Sequence, residues 1–493
     1  MTQAPALVWF RRDLRLTDNV ALTTAIHRCP SILPVFIWAP EEESPWAPGA
    51  ASQWWLHHSL LALEDALARR GAKLIVRRGP AVEALLSIAA ESGAEAVFCN
   101  RSYEPRSIER DRMLEGALEA RGIAMTACAG DLLFDPGSIR NVSGKPFRVF
   151  TAFWKACLSA PSPAKPIPAP GKIACPLAFS GRPLASLAVA DLELPPKVDW
   201  TSGMRQTWQP GEAGAVKQLR RFLDQALEGY SDDRNRPDHE GTSRLSPHLH
   251  FGEISARRIW HAVESRSARI PAGKDGPVGR SYLREIAWRE FARHLLFHFP
   301  SMPHQPLQSE FRHFPWGRSR QKPKVWKRWT RGDTGYPLVD AGMRQLWHTG
   351  WMHNRVRMVV ASFLVKHLLI DWRDGADWFW DTLVDADLAN NAMGWQWSAG
   401  CGVDAAPYFR IFNPVLQGER FDPHGDYVRR WVPELAPLPA AWIHKPWKAP
   451  AAVFAEAGIE MGKTYPWPVV AHEEARKRAL AAFAGIPRGT AGA

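Results

Sequence analysis

The chain has 493 residues, of which 46% are hydrophobic and 23% charged, so it is long enough for two to four domains and its composition excludes global disorder. The formal net charge of +12 favours a polyanionic partner such as nucleic acid, although a solvated basic surface would give the same balance. The apolar runs are too short for a membrane span or a signal peptide, and the six cysteines lack metal or disulfide spacing. We expect no membrane span, no metal site and a reducing cytoplasmic location.

Short apolar segments alternate with amphipathic helical stretches over residues 1–130. The helical stretches lie near 18–28, 52–70, 81–92 and 107–121, and the strand candidates are Ala6 to Phe10, Ile32 to Trp38, Leu74 to Arg77, Ala96 to Cys99 and Ile123 to Ala127. This alternation predicts an α/β domain with a doubly wound, five-stranded parallel sheet of Rossmann type. Neither a G-x-G-x-x-G fingerprint nor a phosphate loop is present, so no nucleotide site is predicted here.

The character of the sequence changes after the first domain. Residues 131–211 are interpreted as an interdomain connector, because Ser159 to Pro170 is too rich in proline for helix or sheet. Helical periodicity dominates from 212, which predicts an all-α domain over 212–480 followed by a short tail at 481–493.

The segment Gly241-Thr-Ser-Arg-Leu-Ser-Pro247 reads as the start of a helix, with Ser246 as N-cap and Pro247 in the first turn. Hydroxyl groups and an arginine before a helix suit a phosphate or pyrophosphate. The simpler interpretation is a capped helix without a ligand.

Two later helical patterns place polar and aromatic side chains on one side. Glu285, Trp288 and Arg289 follow i, i+3, i+4 spacing, and Asn354 lies one turn before Met358. These residues could face one cavity, although core helices with charged surfaces would show the same spacing.

The segment Asp385-Ala-Asp-Leu-Ala-Asn-Asn-Ala-Met-Gly-Trp-Gln-Trp397 combines acids, amides and indoles, and Gly394 allows close approach to the backbone. Eleven of the 24 tryptophans fall between Trp288 and Trp397. Together these features suggest a large flat ligand held by polar groups and aromatic walls.

Seven segments, in order from about residue 5 to 470, resemble the photolyase/cryptochrome family. They are Phe10-Arg-Arg-Asp-Leu-Arg15, the GTSRLS segment, Ala287-Trp-Arg-Glu-Phe291, Thr334-Gly-Tyr-Pro337, Gly350-Trp-Met-His-Asn-Arg355, the DxDLANN…GWQW segment and Asp404-Ala-Ala-Pro-Tyr-Phe-Arg-Ile-Phe-Asn413. The resemblance implies an α/β antenna domain and a helical domain that binds FAD in a bent conformation.

The resemblance implies the following cofactor residues. FAD contacts are expected at Tyr230, Thr242, Ser243, Arg244, Leu245, Ser246, Arg289, Asp385 and Asp387. Arg357 is expected to pair with Asp385, and Asn391 to lie beside flavin N5, where an amide favours reduced flavin. Plant cryptochromes usually carry an acid at this position, so Asn391 favours repair.

Substrate preference is implied by the same comparison. Class I-type photolyases for cyclobutane pyrimidine dimers carry the residues seen here as Glu285, Trp288, Asn354, Met358 and Trp397, whereas (6-4) enzymes place histidine at the Asn354 and Met358 positions. Arg234, Arg355 and Gln417 match DNA-contacting positions. UV-damaged DNA is the expected partner, with the lesion flipped out of the duplex.

The implied reaction is photochemical. Blue light excites anionic reduced FAD, one electron passes to the dimer, the two ring bonds break and the electron returns. Trp395, Trp372 and a distal tryptophan are expected to photoreduce oxidised flavin; Trp316 is preferred as the distal member, with Trp326 as the alternative.

Several points stay open in the sequence. Arg106-Ser107 stands where folate-binding relatives often carry Asn-Glu, which disfavours a folate antenna at that site. The identity of an antenna, deazaflavin or methenyltetrahydrofolate, or its absence stays open. A light-signalling cryptochrome without repair activity is the main alternative to a repair enzyme. A class I aminoacyl-tRNA synthetase is disfavoured because its motifs are missing. We expect a cytoplasmic, nucleoid-associated monomer.

Overall fold

A computed structural model describes residues 4–176, 183–271 and 277–486. The N-terminal α/β unit consists of β1 Ala6–Phe10, α1 Val20–Arg28, β2 Ile32–Trp38, α2 Ala50–Ala68, β3 Ile75–Arg78, α3 Ala81–Ser92, β4 Ala96–Asn100, α4 Pro105–Glu119 and β5 Ala124–Cys128. The strands are all parallel and follow the order β3-β2-β1-β4-β5, with Val8 paired with Pro34 on one side and Phe98 on the other. The predicted five-stranded, doubly wound sheet is confirmed.

Apolar side chains on both faces hold this sheet in place. Strands β1 and β2 are buried at every position, and separate apolar clusters cover the two faces. Such continuous burial is typical of parallel sheets covered by helices on both sides. The strand order reverses between β1 and β4, so the carboxyl ends of these strands border a crevice. Arg12 and Glu104 follow the two strands at that edge.

The segment between the two units contains α5 Phe150–Ser159 and α6 Ser202–Thr207. Helix α5 packs against the helical unit, where Phe150 and Phe153 belong to the main core cluster. The proline-rich stretch up to residue 176 contains no further helix or strand among its described residues. The predicted domain boundaries themselves stay a prediction, and part of the predicted tail, 487–493, lies outside the described residues.

The helical unit has fifteen α-helices within the described residues. They are α7 Glu212–Gln225, α8 Tyr230–Asp233, α9 Ser246–His250, α10 Ala256–Ser267, α11 Arg280–His298, α12 Pro323–Arg331, α13 Pro337–Thr349, α14 Asn354–Ser362, α15 Trp372–Thr382, α16 Leu388–Ala399, α17 Pro414–Phe421, α18 Asp426–Trp431, α19 Ala440–Ile443, α20 Ala451–Ala457 and α21 His472–Ala484. A π-helical turn, Phe363–His367, extends α14. Helix α16 lies at the centre and packs against α11, α14 and α15.

The start of α9 differs from the expectation. The prediction that Ser246 is its N-cap is wrong: the helix begins at Ser246 itself, Leu245 precedes it, and no side chain caps the first turn. The Ser246 hydroxyl instead accepts a hydrogen bond from the Trp351 indole at 3.3 Å. Burial of Leu245, which is 1% exposed, fixes where the chain turns into the helix.

The two units are joined by backbone contacts beneath the sheet edge. The Leu14 amide donates to the Phe251 carbonyl at 3.1 Å, and the Arg15 guanidinium donates to the Gly252 carbonyl at 2.8 Å. Gly252 has a φ of +64°, and a Cβ there would lie 2.1 Å from the Arg12 carbonyl oxygen. Only glycine therefore allows this approach. Within the described ranges, no helix combines the length and apolarity needed to cross a membrane.

Candidate active site

Three helices that pack in the core each leave several side chains accessible, and predicted site residues are among them. The accessible residues on α11, α14 and α16 include Glu285, Trp288, Asn354, Arg357, Met358, Asn391, Gly394 and Trp397. Their neighbours Ile286, Val356, Val359, Ala392 and Trp395 are buried. Because α16 packs against both other helices, we infer that the accessible positions border one cleft. Most of the sequence-predicted residues on these helices are thus accessible, whereas Arg289 and Trp395 are buried.

Gly394 marks open space inside this cleft. A Cβ built at Gly394 has no atom within 4 Å, although the residue lies in the middle of α16. Asn391, three residues earlier, donates its side-chain NH₂ to the Ala376 carbonyl at 3.0 Å. That bond engages the donor end of the amide, so its oxygen is the part left for a ligand.

Arg357 and Asp385 form the predicted ion pair. One guanidinium nitrogen lies 2.8 and 3.1 Å from the two carboxylate oxygens, and Arg357 Nε also donates to the Met352 carbonyl at 2.8 Å. The Asp385 side chain is 3% exposed and that of Arg357 is 24% exposed. The pair therefore presents a fixed cation at the cleft and holds the carboxylate behind it.

The remaining charged cofactor candidates, Asp387 and Arg289, lie deeper. Burial alone would raise the pKa of Asp387, but Arg293 and then His250 hold it well below its usual range. Arg289 pairs with Asp131 at 3.1 Å and with Glu290 at 3.1 Å. Both candidates thus belong to a network of buried ions beside α16.

The GTSRLS loop has accessible hydroxyl-bearing residues and an arginine that stacks on two indole rings. Gln218 donates to the Ser243 carbonyl at 2.8 Å, and the hydroxyl-bearing residues of the loop are partly or fully exposed. Arg244, with a φ of 51°, stacks its guanidinium over the rings of Trp208 and Trp351 at 4.7 and 5.2 Å.

Thr242 and Arg244 line a cavity of about 1250 Å³. Among the residues that the structure describes, none of the other cofactor candidates lines this cavity. Tyr230 is 6% exposed and packs edge-on against Phe222 and Tyr282.

Aromatic walls flank the lesion-side candidates. Trp288 and Trp397 line one apolar cavity of about 280 Å³. Trp288 also stacks on Phe150 of α5, with ring centroids 3.7 Å apart and planes 7° apart. Phe150 is fully buried and therefore fixes the orientation of the indole.

The polar lesion-side candidates include a second ion pair, between Glu285 and Arg234 at 2.8 Å. Burial raises the pKa of Glu285, and Arg234 opposes that shift. Asn354 is exposed at the start of α14, and Met358 follows one turn later. A carboxyl, an amide and a thioether are thus available at one side of the cleft.

Three arginines gather beside this pocket. Burial lowers the pKa of Arg355, and the charges of Arg234 and Arg420 lower it further. Arg355 also donates to Asn235 at 2.7 Å and stacks over Phe421 at 4.5 Å. Gln417 lies one turn before Arg420 on α17. Repelling cations at an accessible surface are suited to a phosphate backbone.

Trp395 connects the cleft to two groups of indoles. The Trp395 ring lies against α15 at Gly375, where a Cβ would be 2.2 Å from the ring. Gly375 comes three residues after Trp372 on the same helix. Trp372 and Trp316 line a common cavity of about 480 Å³.

The alternative distal residue, Trp326, lies on another route. Trp326 stacks on Trp329 at 5.2 Å, and Trp329 meets Trp395 at 6.4 Å. Geometry thus associates Trp316 with Trp372, and Trp326 with Trp329.

Two further cavities lie at the edge of the α/β unit. One, of about 700 Å³, is lined by residues that include Trp9, Arg12, Trp38, Arg110 and His250. The other, of about 660 Å³, contains Arg106 and Ser107 beside Trp46 and Glu104.

Comparisons with known proteins agree with this arrangement. A family model described as "DNA photolyase" matches residues 6–171, and one described as "FAD binding domain of DNA photolyase" matches residues 282–485. A deoxyribodipyrimidine photo-lyase from Agrobacterium fabrum is 48% identical over 99% of both chains. The chain belongs to the photolyase/cryptochrome family.

Other members of the family show how far the likeness extends. Cryptochrome-1 of Arabidopsis thaliana is 42% identical over 96% of this chain and 69% of its own length. A crystal structure described as a bacterial class III photolyase from Agrobacterium tumefaciens has a TM-score of 0.92 and 47% identity, covering 98% of each chain. The likeness therefore includes both halves of the fold.

Sequence reasoning missed some residues that the photolyase/cryptochrome fold brings to the cleft. Phe150 and Arg293 lie buried behind it, where they hold Trp288 and Asp387; Phe150 comes from a distant part of the chain, and Arg293 lies one turn after Arg289 on α11. Arg420 could have been found, because it lies three residues after Gln417 on the same helix.

Proposed function

We propose that this protein is a light-dependent DNA-repair lyase that splits cyclobutane pyrimidine dimers in UV-damaged DNA. The observation that carries the proposal is that α16 packs against α11 and α14, and that these helices leave accessible both the lesion-side residues Glu285, Trp288 and Asn354 and the cofactor-side residues Arg357 and Asn391. A lesion beside the cofactor needs this combination, and a protein that only stores flavin does not.

The residues of the cleft fit FAD. The open space at Gly394 admits a flat ring close to the backbone, and the free amide oxygen of Asn391 can accept a hydrogen bond from a ring N–H. Arg357 supplies a fixed cation for an electron-rich ring, and the exposed hydroxyls of the GTSRLS loop suit the pyrophosphate. When bound, reduced FAD supplies the light-driven electron that opens the two bonds of the cyclobutane ring.

The lesion-side residues orient the dimer and exclude water. Glu285, held by Arg234 at 2.8 Å, places its carboxyl group toward the polar edge of a pyrimidine, and the Asn354 amide can both donate and accept hydrogen bonds there. Trp288, held by Phe150, and Trp397 contact the faces of the extruded bases. None of these groups has to act as a nucleophile or general base.

The surrounding charge favours DNA over a small ligand. Arg234, Arg355 and Arg420 form a basic rim at the pocket, and the chain carries a net charge of +12. Such a rim attracts phosphates without regard to sequence, as a repair enzyme requires. We further propose that the protein acts as a monomer in the cytoplasm, associated with the nucleoid.

The indoles supply a route for restoring reduced flavin. We propose Trp395, Trp372 and Trp316 as the series from the cleft to the surface, because Trp395 rests on α15 near Trp372 and Trp316 shares a cavity with Trp372. The two cavities at the sheet edge, beside Trp38 and beside Trp46, are the proposed place for a second chromophore. Its identity, deazaflavin or methenyltetrahydrofolate, stays open.

The test is loss of dimers from UV-irradiated oligothymidylate by protein loaded with FAD and reduced with dithionite. We expect repair under blue light and none in the dark. Glu285→Gln should slow repair and retain flavin, whereas the exposed matched control Glu264→Gln should change neither. Flavin binding without any light-dependent repair would refute the lyase and favour the photoreceptor alternative, which the 42% identity with a cryptochrome supports.

A further inference from the structure

A chain of charged side chains, half-buried at the edge of the sheet and buried further in, runs to the start of α16. Arg12, after β1, pairs with Glu104, after β4, at 2.5 Å and with Glu43 at 3.0 Å. The oxygen of Glu104 that binds Arg12 also lies 3.5 Å from a guanidinium nitrogen of Arg293. The charges of the α/β unit thus continue into α11.

Arg293 is the centre of this network. It is 3% exposed, forms a short ion pair with Asp387, and lies 4.0 Å from Asp131 in addition to its contact with Glu104. These three acids come from the helical unit, the connector and the α/β unit. One guanidinium therefore joins all three parts of the chain, which an ammonium group of similar length could not bridge in the same way.

Both oxygens of Asp387 are engaged inside the protein. Oδ1 accepts from the Asn390 backbone at 2.9 Å and from the Asn390 side chain at 2.7 Å, which caps α16. Oδ2 binds Arg293 and lies 3.8 Å from His250. The side chain thus fixes the first turn of α16 and has little capacity left for a ligand.

The fixed helix carries much of the cleft. Asn391, Gly394, Trp395 and Trp397 follow within ten residues of Asp387. Since a helix moves as a rigid body, a small shift at its capped end displaces all four positions together.

We propose that Arg293 is a positioning residue for the flavin site. Arg293 bridges the carboxylates of Asp387 and Glu104, and in this way it sets the position of α16 beneath the cofactor. Because Glu104 belongs to the α/β unit, the geometry of the flavin cleft then depends on how that unit docks. Asp387 then acts on the cofactor through the placement of α16 rather than through its own carboxylate. This inference rests on the proposed function, because it assumes FAD in the cleft.

The experiment titrates FAD into the full-length apoprotein, following quenching of flavin fluorescence and the fine structure of the flavin absorption band. Arg293→Gln should weaken FAD binding by about 10-fold or more, the magnitude typical when a contact that orients a ligand-binding group is lost. Arg293→Lys should weaken FAD binding less than Arg293→Gln does. Glu104→Gln should also weaken FAD binding and blur the fine structure, although it lies in the other unit. Arg280→Gln, an exposed change on the same helix, is the matched control and should leave both readouts unchanged.

The outcomes separate the two hypotheses. Failure of the wild-type chain to take up FAD would refute the proposed function itself. Wild-type uptake together with an unchanged FAD affinity and spectrum in Arg293→Gln, even at a lower melting temperature, would show that the network only stabilises the fold. If Arg293→Gln does not fold, unchanged affinity and spectra in both Arg293→Lys and Glu104→Gln would equally overturn the positioning role.

Discussion

Replacing Gly394 by alanine should stabilise the apoprotein and weaken FAD binding at the same time. Gly394 lies inside α16 with no atom within 4 Å of the position of a Cβ, so a methyl group meets no clash in the apoprotein. Alanine in a helix interior is more stable than glycine by about 0.5–1 kcal/mol. If the open space receives the flavin ring, however, the methyl overlaps it, and overpacking typically costs about 1–3 kcal/mol.

The substitution should therefore raise thermal stability and lower FAD affinity. The apoprotein should melt about 0.5–1 °C higher, and the FAD dissociation constant should rise by roughly 5- to 150-fold, since 1.4 kcal/mol is about a factor of ten. Differential scanning fluorimetry of apoprotein and a fluorescence titration with FAD measure the two effects. Gly116 is the matched control, because it also lies in a helix, is exposed, and has no atom within 4 Å of a Cβ.

Gly116→Ala should raise the melting temperature without changing FAD affinity. Wild-type affinity in Gly394→Ala would refute the reasoning, because the space beside Gly394 would then not be used by the cofactor. A lower melting temperature of the Gly394→Ala apoprotein would show that the space is not open.

Three other changes test separate parts of the site. Glu285→Ala removes a charged hydrogen bond to Arg234 and should slow repair by about tenfold or more while FAD stays bound; loss of FAD would show that the carboxyl was misassigned. Trp372→Phe should slow photoreduction of oxidised flavin, and adding Trp329→Phe should remove most of what remains, as followed by absorption under blue light; an unchanged rate in the double variant would exclude both routes. Lys366→Met should raise the free energy of unfolding at pH 6, because burial lowers the pKa of Lys366 from 10.5 to about 7; at about 1.4 kcal/mol per pKa unit the gain is at most about 5 kcal/mol, less the hydrogen bond that Lys366 donates to the Arg410 carbonyl. Wild-type stability rises with pH between about 7 and 10.5, where only the unfolded chain binds the proton, so the advantage of the variant should shrink there in urea titrations; a constant advantage would contradict the shift.

The sheet could be predicted from the sequence because its physical cause is local. Each strand is a short apolar run followed by a helix, and parallel pairing follows from that alternation. The helical spacing of Glu285 and Trp288, and of Asn354 and Met358, likewise depends only on neighbours along one helix. These patterns therefore predicted which side chains share a face.

The sequence could not predict contacts that depend on distant packing. The start of α9 is set by burial of Leu245 and by the Trp351 indole, which is 105 residues from Ser246, so the local capping signal failed. Arg293 reaches Asp387 across 94 residues and has no periodicity of its own. The choice between Trp316 and Trp326 also depended on which indole each one meets, which no spacing reveals.

The two sides of the cleft are built differently, and this difference should separate the effects of mutation. The cofactor side includes buried ion pairs, such as Arg293 with Asp387, in which loss of one partner leaves an uncompensated charge and typically costs about 3–5 kcal/mol. The lesion side consists of exposed or half-exposed groups, such as Asn354 and Arg355 at the start of α14, whose loss leaves little charge buried. Changes on the cofactor side should therefore lower stability and FAD affinity together, whereas changes on the lesion side should lower repair alone. Repair-specific loss is the property that distinguishes a lesion pocket from a flavin pocket, and it follows from burial rather than from the chemistry of any single residue.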